Sequence, residues 1–395
     1  MGARGPLRTA GLWFRRHVRA IAVVVGLMAL AVGGGTLGAG WHYADVLDEQ
    51  GLRTNHSPEK FDLVVTAVAD GRVTLEAARA PGPNATWWTN GVLGLKWDGG
   101  YAQMSAPHEI DGHHAVRDAR VLEGTLVAGM QVRVDTFAFP GDPLLALGLP
   151  FEEVRVRGPL GEMPAWFVDA PGGTWAIFVH GQDSSRQEML RSMPAFHALG
   201  LKELVITYRN DEGAPAETDG RHSFGAREWE DLDAAARFAL DHGAARLVLV
   251  GNSMGGGIVM SFLYRSERAA RVAAVILDAP MLDFAAVVDH RAPDGVPGFV
   301  VGTAKWLTSL RFGVDWGELD YLARTADLRA PILLFHGIAD DKVPVATSDR
   351  LAKARPDLVT YVRLPGVGHV RSWNADPVAY DSAMQAFLRR ALGLP

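Results

Sequence analysis

VLVGNSMGGG, residues 248–257, runs an aliphatic stretch into a single serine with Gly251 two positions before it and Gly255 two positions after. ARLVLV before it reads as a strand and GGIVMSFLYRSE after it as a helix, so Ser253 stands at a strand-to-helix corner. A side chain held in so sharp a turn projects above the sheet edge, and small neighbours at those two positions are what make the turn sterically possible. The helix beginning at Met254 also points its first amides at the space where negative charge would develop if the hydroxyl attacked a carbonyl.

Working outward from that corner, residues 150–395 alternate strands and helices. EEVRVRG, MPAWFVDA, TWAIFVHG, ELVITYR, ARLVLVGNS, VAAVILDAP, APILLFHG and VTYVRLPG read as eight strands, the middle ones apolar almost throughout, as strands covered on both faces are. REWEDLDAAARFALDHG carries Trp229, Leu232, Ala235, Ala236 and Leu240 at helical spacing. The expectation is a mostly parallel eight-stranded sheet with helices on both faces, interrupted at residues 281–328 by a short aromatic-rich lid.

A serine hydroxyl is a poor nucleophile at neutral pH and needs a base, usually histidine, held in place by a carboxylate. His369 in LPGVGHVRSW follows the last strand, and Asp340 in APILLFHGIADDKVPV follows the strand before it, giving the chain order serine, acid, histidine. Asp341 beside it and Asp278 at the end of VAAVILDAP are rival acids, because each lies at the C-terminal edge of a strand. The oxyanion donors expected are the backbone amides of Met254 and of Gln182, the latter directly after His180-Gly181 in IFVHGQDSS. HGQD reads equally well as an ordinary turn capping a helix through Asp183 or Ser184.

The N-terminus has a different texture. Arg4, Arg8, Arg15, Arg16 and Arg19 precede an uncharged stretch from Ala20 to Trp41, and Asp45, Asp48 and Glu49 follow it. As a helix the stretch would span roughly 30 Å, the thickness of a bilayer's hydrocarbon core. The expected organisation is a basic cytoplasmic segment (1–19), a transmembrane anchor (20–41), a linker (42–57), a small β-rich domain (58–145) and the large domain (146–395), the last lying outside the cytoplasm. A cleaved signal peptide, with Gly38 and Gly40 near the cleavage site, is the competing reading. Within the β-rich domain FDLVVTAVADGRVTLEA signals a hairpin at Asp70-Gly71, and GVLGLKW and TLVAGMQVRVDTFAF read as further strands. The domain is expected either to position the protein near the envelope or to restrict access to a pocket.

The chain has 395 residues, 48% hydrophobic and 21% charged, enough for a large core plus a smaller unit. A net charge of −6 gives no general attraction to nucleic acid, which is set aside as a partner. With no cysteine, disulfides, thiolate zinc sites and cysteine nucleophiles are excluded. His108, His113 and His114 match no standard metal-ligand spacing, and neither a metal nor a cofactor is expected. Oligomeric state is not legible.

HGQ, GNSMGG, HGIADDKVP and GVGH resemble the oxyanion, nucleophile, acid and base motifs of the α/β-hydrolase superfamily, over about residues 150–395. YRNDEGAP (208–215) and WNADP (373–377) are similar to stretches in single-pass or secreted bacterial members of its esterase and lipase-like branch, which is related to prolyl-oligopeptidase-like and serine-aminopeptidase-like groups. The resemblance implies the α/β-hydrolase fold and a serine hydrolase acting on a small ester; a peptidase with the same three residues is the alternative. A non-catalytic binding module on this fold is the alternative from another class. Asp211 and Glu212 stand where related hydrolases carry a compact R-G-x-G-x-S turn, and either attract a cationic substrate or form a solvated acidic loop.

Overall fold

The computed structural model describes residues 7–55, 57, 60–77, 89–111 and 113–395. The RAPGPN turn at 79–84, expected to punctuate the first strands, lies outside them. The chain divides into two compact units, one made of the N-terminal residues to Leu52 with Ala292–Asp315, the other of Arg53–Arg291 with Trp316–Pro395.

In the first unit helix α1 (Leu7–Leu47) ends in a π-helical turn, Asp48–Leu52. From Ile21 it is long and apolar enough to cross a membrane, and Ile21, Val23, Leu27, Leu30 and Leu37 are all exposed. The helix continues well into residues 42–57, which read as linker, because its polar end has a partner in α7 (Gly298–Phe312). A Cβ on Gly40 would lie 2.6 Å from the Thr303 side chain, so glycine permits close approach there. Arg311 then donates to Asp45 Oδ1 at 2.6 Å and lays its guanidinium 3.9 Å over the Trp41 ring.

The second unit begins with a closed six-stranded barrel: β1 (Leu63–Ala69), β2 (Arg72–Ala77), β3 (Leu93–Trp97), β4 (Gly100–Asp111), β5 (His114–Glu123) and β6 (Gln131–Asp135), in the order β1-β2-β5-β4-β3-β6. Asp70 and Gly71 both take positive φ, 52° and 74°, the two-residue turn that matches strand twist. Leu63, Val65, Val73, Leu75, Leu93, Leu95, Met104 and Val132 fill the barrel. The long β4–β5 hairpin is not legible in sequence, because Pro107 and repeated register shifts break the period-two pattern. TLVAGMQVRVDTFAF is strand only over β6.

The large domain holds all eight expected strands: β7 (Glu152–Arg157), β8 (Glu162–Val168), β9 (Thr174–Val179), β10 (Lys202–Ile206), β11 (Arg246–Asn252), β12 (Val272–Asp278), β13 (Ile332–Gly337) and β14 (Val359–Leu364). Their order is β7-β8-β10-β9-β11-β12-β13-β14, with β8 antiparallel to both neighbours and the rest parallel. Helices α2 (Pro143–Leu147), α3 (Met193–His197), α4 (Trp229–Asp241), α5 (Met254–Arg265), α6 (Phe284–Arg291), α8 (Val345–Ala354), α9 (Ser372–Ala375) and α10 (Pro377–Leu392) complete it. Phe178, Val250, Ile276 and Phe335 pack with Phe196 of α3 and Met384 and Leu388 of α10. Ile177 and Leu249 point to the other face, where α4 and α5 lie. After β9 the chain moves outward to β10 and then returns to the other side of β9 as β11, so strand order reverses beside β9 and leaves a crevice at the C-terminal strand ends. Of residues 281–328, read as one lid, 292–315 group with α1 while the remainder, including a 3₁₀ turn at Tyr321–Asp327, stays with the sheet.

Candidate active site

Ser253 has φ 51° and ψ −118°, a conformation that costs a non-glycine residue about 1–3 kcal/mol. Hydrogen bonds at the end of β12 hold it there: its N–H donates to Asp278 O at 3.0 Å, and its carbonyl accepts from Met281 N at 2.9 Å and Gly256 N at 3.0 Å. The glycines around it are dictated by backbone, not by side chains. A Cβ on Gly255 would stand 2.2 Å from Val179 O, and one on Gly251 would stand 2.7 Å from Gly255 O. Gly255→Ala is therefore expected to force β9 and α5 apart and cost about 3 kcal/mol, read as a lowered denaturation midpoint; an unchanged midpoint would mean the corner is looser than drawn.

His369 Nε2 lies 2.8 Å from Ser253 Oγ, and His369 Nδ1 lies 2.8 Å from Asp340 Oδ2. In that arrangement Nδ1–H donates to the carboxylate and Nε2 accepts from the serine hydroxyl. The acid and base loops are joined by Ala339 N donating to Val367 O at 3.0 Å, and Gly337 is needed where a Cβ would strike Val367 O at 2.0 Å. Asp340 Oδ1 accepts from the amides of Lys342 at 2.9 Å and Val343 at 2.8 Å. His336 Nε2 adds a contact to Oδ2 at 3.2 Å, and its Nδ1 meets Ser348 Oγ at 2.7 Å. Burial opposes ionisation of Asp340, but the hydrogen bonds from His336 and His369 outweigh it and hold the carboxyl well below the usual range.

The rival acids stand apart from the imidazole. Asp341 is exposed. Asp278 is buried and accepts from Ser372 Oγ at 2.8 Å, and burial raises its pKa to about 6 against that bond. Because its proton is held more tightly in the fold than in the unfolded chain, the stability it contributes is present below about pH 4 and lost as pH rises through about 6. Asp278→Asn is thus expected to gain stability relative to wild type between pH 4 and 7, on the order of 3 kcal/mol; parallel pH-stability curves for the two proteins would contradict this.

The expected oxyanion loop lies against the serine, since a Cβ on Gly181 would meet Ser253 Cβ at 3.3 Å. Met254 begins α5 and Gln182 follows Gly181, so both amides belong to segments that border Ser253. Neither reading of Asp211 as mouth or solvated loop holds. It is a buried partner for His180, 2.9 Å from Nε2, and also accepts from Tyr208 N at 2.8 Å. Burial would depress the His180 pKa, but the Asp211 carboxylate outweighs it and raises it. Glu212 is exposed. In the β-rich part His108 pairs with Asp118 at 2.7 Å and His114 with Glu76 at 3.5 Å.

Sequence reasoning gave no role to Glu188, Arg191 and Asn374, all buried close behind the loops that carry Ser253 and His369. Asn374 lies in the WNADP stretch, but nothing local gives any of the three its role, because their partners include residues far away in sequence, Asn252 for Glu188, Val370 for Arg191 and Val92 for Asn374. Of the aromatics in residues 281–328, Phe284 stacks between Phe224 at 3.9 Å and Trp316 at 5.5 Å, while Phe299 and Trp306 are exposed.

This sheet order, with a strained serine after a central strand and an aspartate and a histidine after the last two, defines the α/β-hydrolase fold. Residues 217–314 match the serine aminopeptidase S33 family (Hydrolase_4). An uncharacterized protein of Mycobacterium tuberculosis is 29% identical over 217 residues, 52% of this chain and 66% of that protein. A monoacylglycerol lipase of Mycolicibacterium smegmatis is also 29% identical, over 52% of this chain and 84% of the lipase. The esterase Pf2001 of Pyrococcus furiosus superposes with a TM-score of 0.52 over 64% of this chain and 96% of its own, at 19% identity. The chain has the α/β-hydrolase fold of these proteins.

Proposed function

We propose that the chain is a membrane-anchored serine hydrolase that cleaves an ester or related acyl bond outside the cytoplasm. The observation that carries this reading is the unbroken relay Ser253 Oγ, His369, Asp340, with both hydrogen bonds at 2.8 Å. Ser253 Oγ attacks the acyl carbonyl while His369 Nε2 takes its proton; the tetrahedral oxyanion is held by the amides of Met254 and Gln182. The imidazolium, stabilised by Asp340, delivers the proton to the leaving alcohol, and the acyl group remains on Ser253. Water, deprotonated by the same histidine, then releases the acid.

The apolar α1 supports the anchor, and the arginines before Ala20 with the acidic residues after Trp41 support a cytoplasmic N-terminus. Similarity to the mycobacterial lipase favours an ester, and the serine aminopeptidase match over 217–314 favours an amide. The decisive experiment compares p-nitrophenyl esters of graded chain length with aminoacyl and prolyl p-nitroanilides on detergent-solubilised full chain. Ester turnover should exceed amide turnover by at least about 10²-fold; the reverse order would make it a peptidase, and turnover of neither would favour a binding module.

A further inference from the structure

Three catalytic segments, far apart in sequence, are held by one buried pair of charges. Glu188 Oε2 accepts from Gly181 N at 3.0 Å, one residue before Gln182. Its Oε1 accepts from Asn252 Nδ2 at 3.0 Å, one residue before Ser253. The same carboxylate faces Arg191 Nη2 at 3.5 Å, and Arg191 Nη1 donates to Val370 O at 3.0 Å, one residue after His369. Val370 has φ 50°, so the chain there is bent into a conformation it would not keep unaided. Burial disfavours the charged form of Glu188, yet Arg191 and the donors around it hold its carboxyl below the usual range.

The barrel reaches into this cluster. Arg191 Nη1 also contacts Thr136 O at 3.2 Å, just past β6, and Asn374 Oδ1 at 2.7 Å. Asn374 Nδ2 donates to Val92 O at 2.7 Å and Thr136 O at 2.9 Å, and its carbonyl accepts from Val92 N at 2.8 Å. The junction is tight, because a Cβ on Gly91 would stand 2.2 Å from Asn374 O. Asn374 is thereby bonded on its two side-chain ends to different partners: the oxygen to Arg191, the amide to the barrel.

We propose that Arg191 is a positioning residue that fixes the catalytic histidine loop, and that Asn374 makes the β-barrel part of that clamp. The barrel then acts on the reaction by setting where His369 stands relative to Ser253, in place of the envelope-docking or access role. The inference deepens the serine-hydrolase reading and rests on it for the kinetic arm alone. Sub-ångström placement matters because a misplacement of about 1 Å from a distant change can cost about 10²-fold in rate.

Two substitutions separate the parts. Asn374→Asp keeps the oxygen facing Arg191 and replaces the amide donors facing Val92 O and Thr136 O with an acceptor, removing the side-chain part of the barrel link while the backbone bond from Val92 N to Asn374 O remains. Arg191→Lys keeps the charge but loses the planar fork that reaches Glu188, Val370 and Asn374 together. In full-length protein, sites competent to react are counted by fluorophosphonate titration, and kcat is taken per titrated site, which removes any loss from misfolding. Both variants are expected to lose about 10- to 100-fold in kcat per site with KM for a short ester changed less than about threefold. Hydrogen exchange of peptide 365–371 should quicken in both variants, while α5 and the barrel core keep wild-type protection. This second readout needs no turnover, so it decides the clamp even if wild type proves not to hydrolyse esters. Wild-type kcat per site together with wild-type exchange at 365–371 in Asn374→Asp would overturn the barrel's part. The same pair of results in Arg191→Lys would overturn the clamp itself.

Discussion

Ser253→Ala is expected to lower kcat/KM for a short ester by about 10⁵- to 10⁶-fold and to abolish labelling by a fluorophosphonate. The residual rate is what the oxyanion amides and substrate binding give without a nucleophile. Stability should barely move, because alanine inherits the same φ of 51° and only a hydroxyl is lost. Ser253→Gly separates the two effects. It is equally inactive, but glycine occupies this region of φ and ψ freely, so the strain of about 1–3 kcal/mol is relieved and the unfolding midpoint should rise. Equal labelling of wild type and Ser253→Ala would remove Ser253 from the mechanism; a lowered midpoint in Ser253→Gly would mean the corner is not strained.

The second large effect is expected at Asp340. Asp340→Asn preserves shape but replaces one oxygen with an amide, which presents donors where His336, His369, Lys342 and Val343 already donate. The imidazole loses the acceptor that keeps its proton on Nδ1, and kcat is expected to fall about 10⁴-fold with KM changed little. The pH behaviour gives a second reading. A carboxyl held below its ordinary range in the fold contributes stability above the unfolded pKa near 4, and that stability is lost as pH falls through the lower folded value. Wild type should therefore lose more stability than Asp340→Asn as pH falls from about 5 to about 3. Asp341→Asn is the control: its side chain is exposed, and activity within about twofold of wild type is expected, exposed substitutions being usually mild.

Much of this candidate site is legible in the chain because Ser253, Asp340 and His369 each follow a strand of the large sheet, where local texture reports position. VLVGNSMGG announces a strand, a turn only glycine can line, and a helix; HGIADD and GVGH each follow a strand whose neighbours are unmistakable. The parallel sheet then brings all C-terminal strand ends to one edge, whatever the distance along the chain. The central strands are legible for the same reason, β9, β11 and β13 being apolar runs buried on both sides, whereas β7 and β14 at the edges are more exposed. The hairpin at Asp70-Gly71 is legible because a two-residue turn is wholly local.

Reading fails where the physics is not local. β4 and β5 pair through shifted registers around Pro107, so no alternation survives in the sequence to report them. The polar end of α1 looks like a tether until Arg311, 266 positions away, supplies a partner for Asp45. The choice between Asp340 and Asp341 depends on which carboxylate the β13–α8 loop turns toward the imidazole, and loop geometry is set by contacts such as Ala339 N to Val367 O. Asp211 looks like a surface acid until His180, 31 positions earlier, is found against it.

The existence of eight mostly parallel strands, the glycine-lined corner at Ser253 and the candidacy of Ser253 and His369 are legible in the sequence alone, since burial and steric need leave their mark residue by residue. The order of the strands in the sheet, which carboxylate faces His369, what Glu188, Arg191 and Asn374 hold together, and how the barrel joins the large domain were decided only by tertiary structure. A buried polar group is defined by partners distant in the chain, and no short stretch of sequence carries their names.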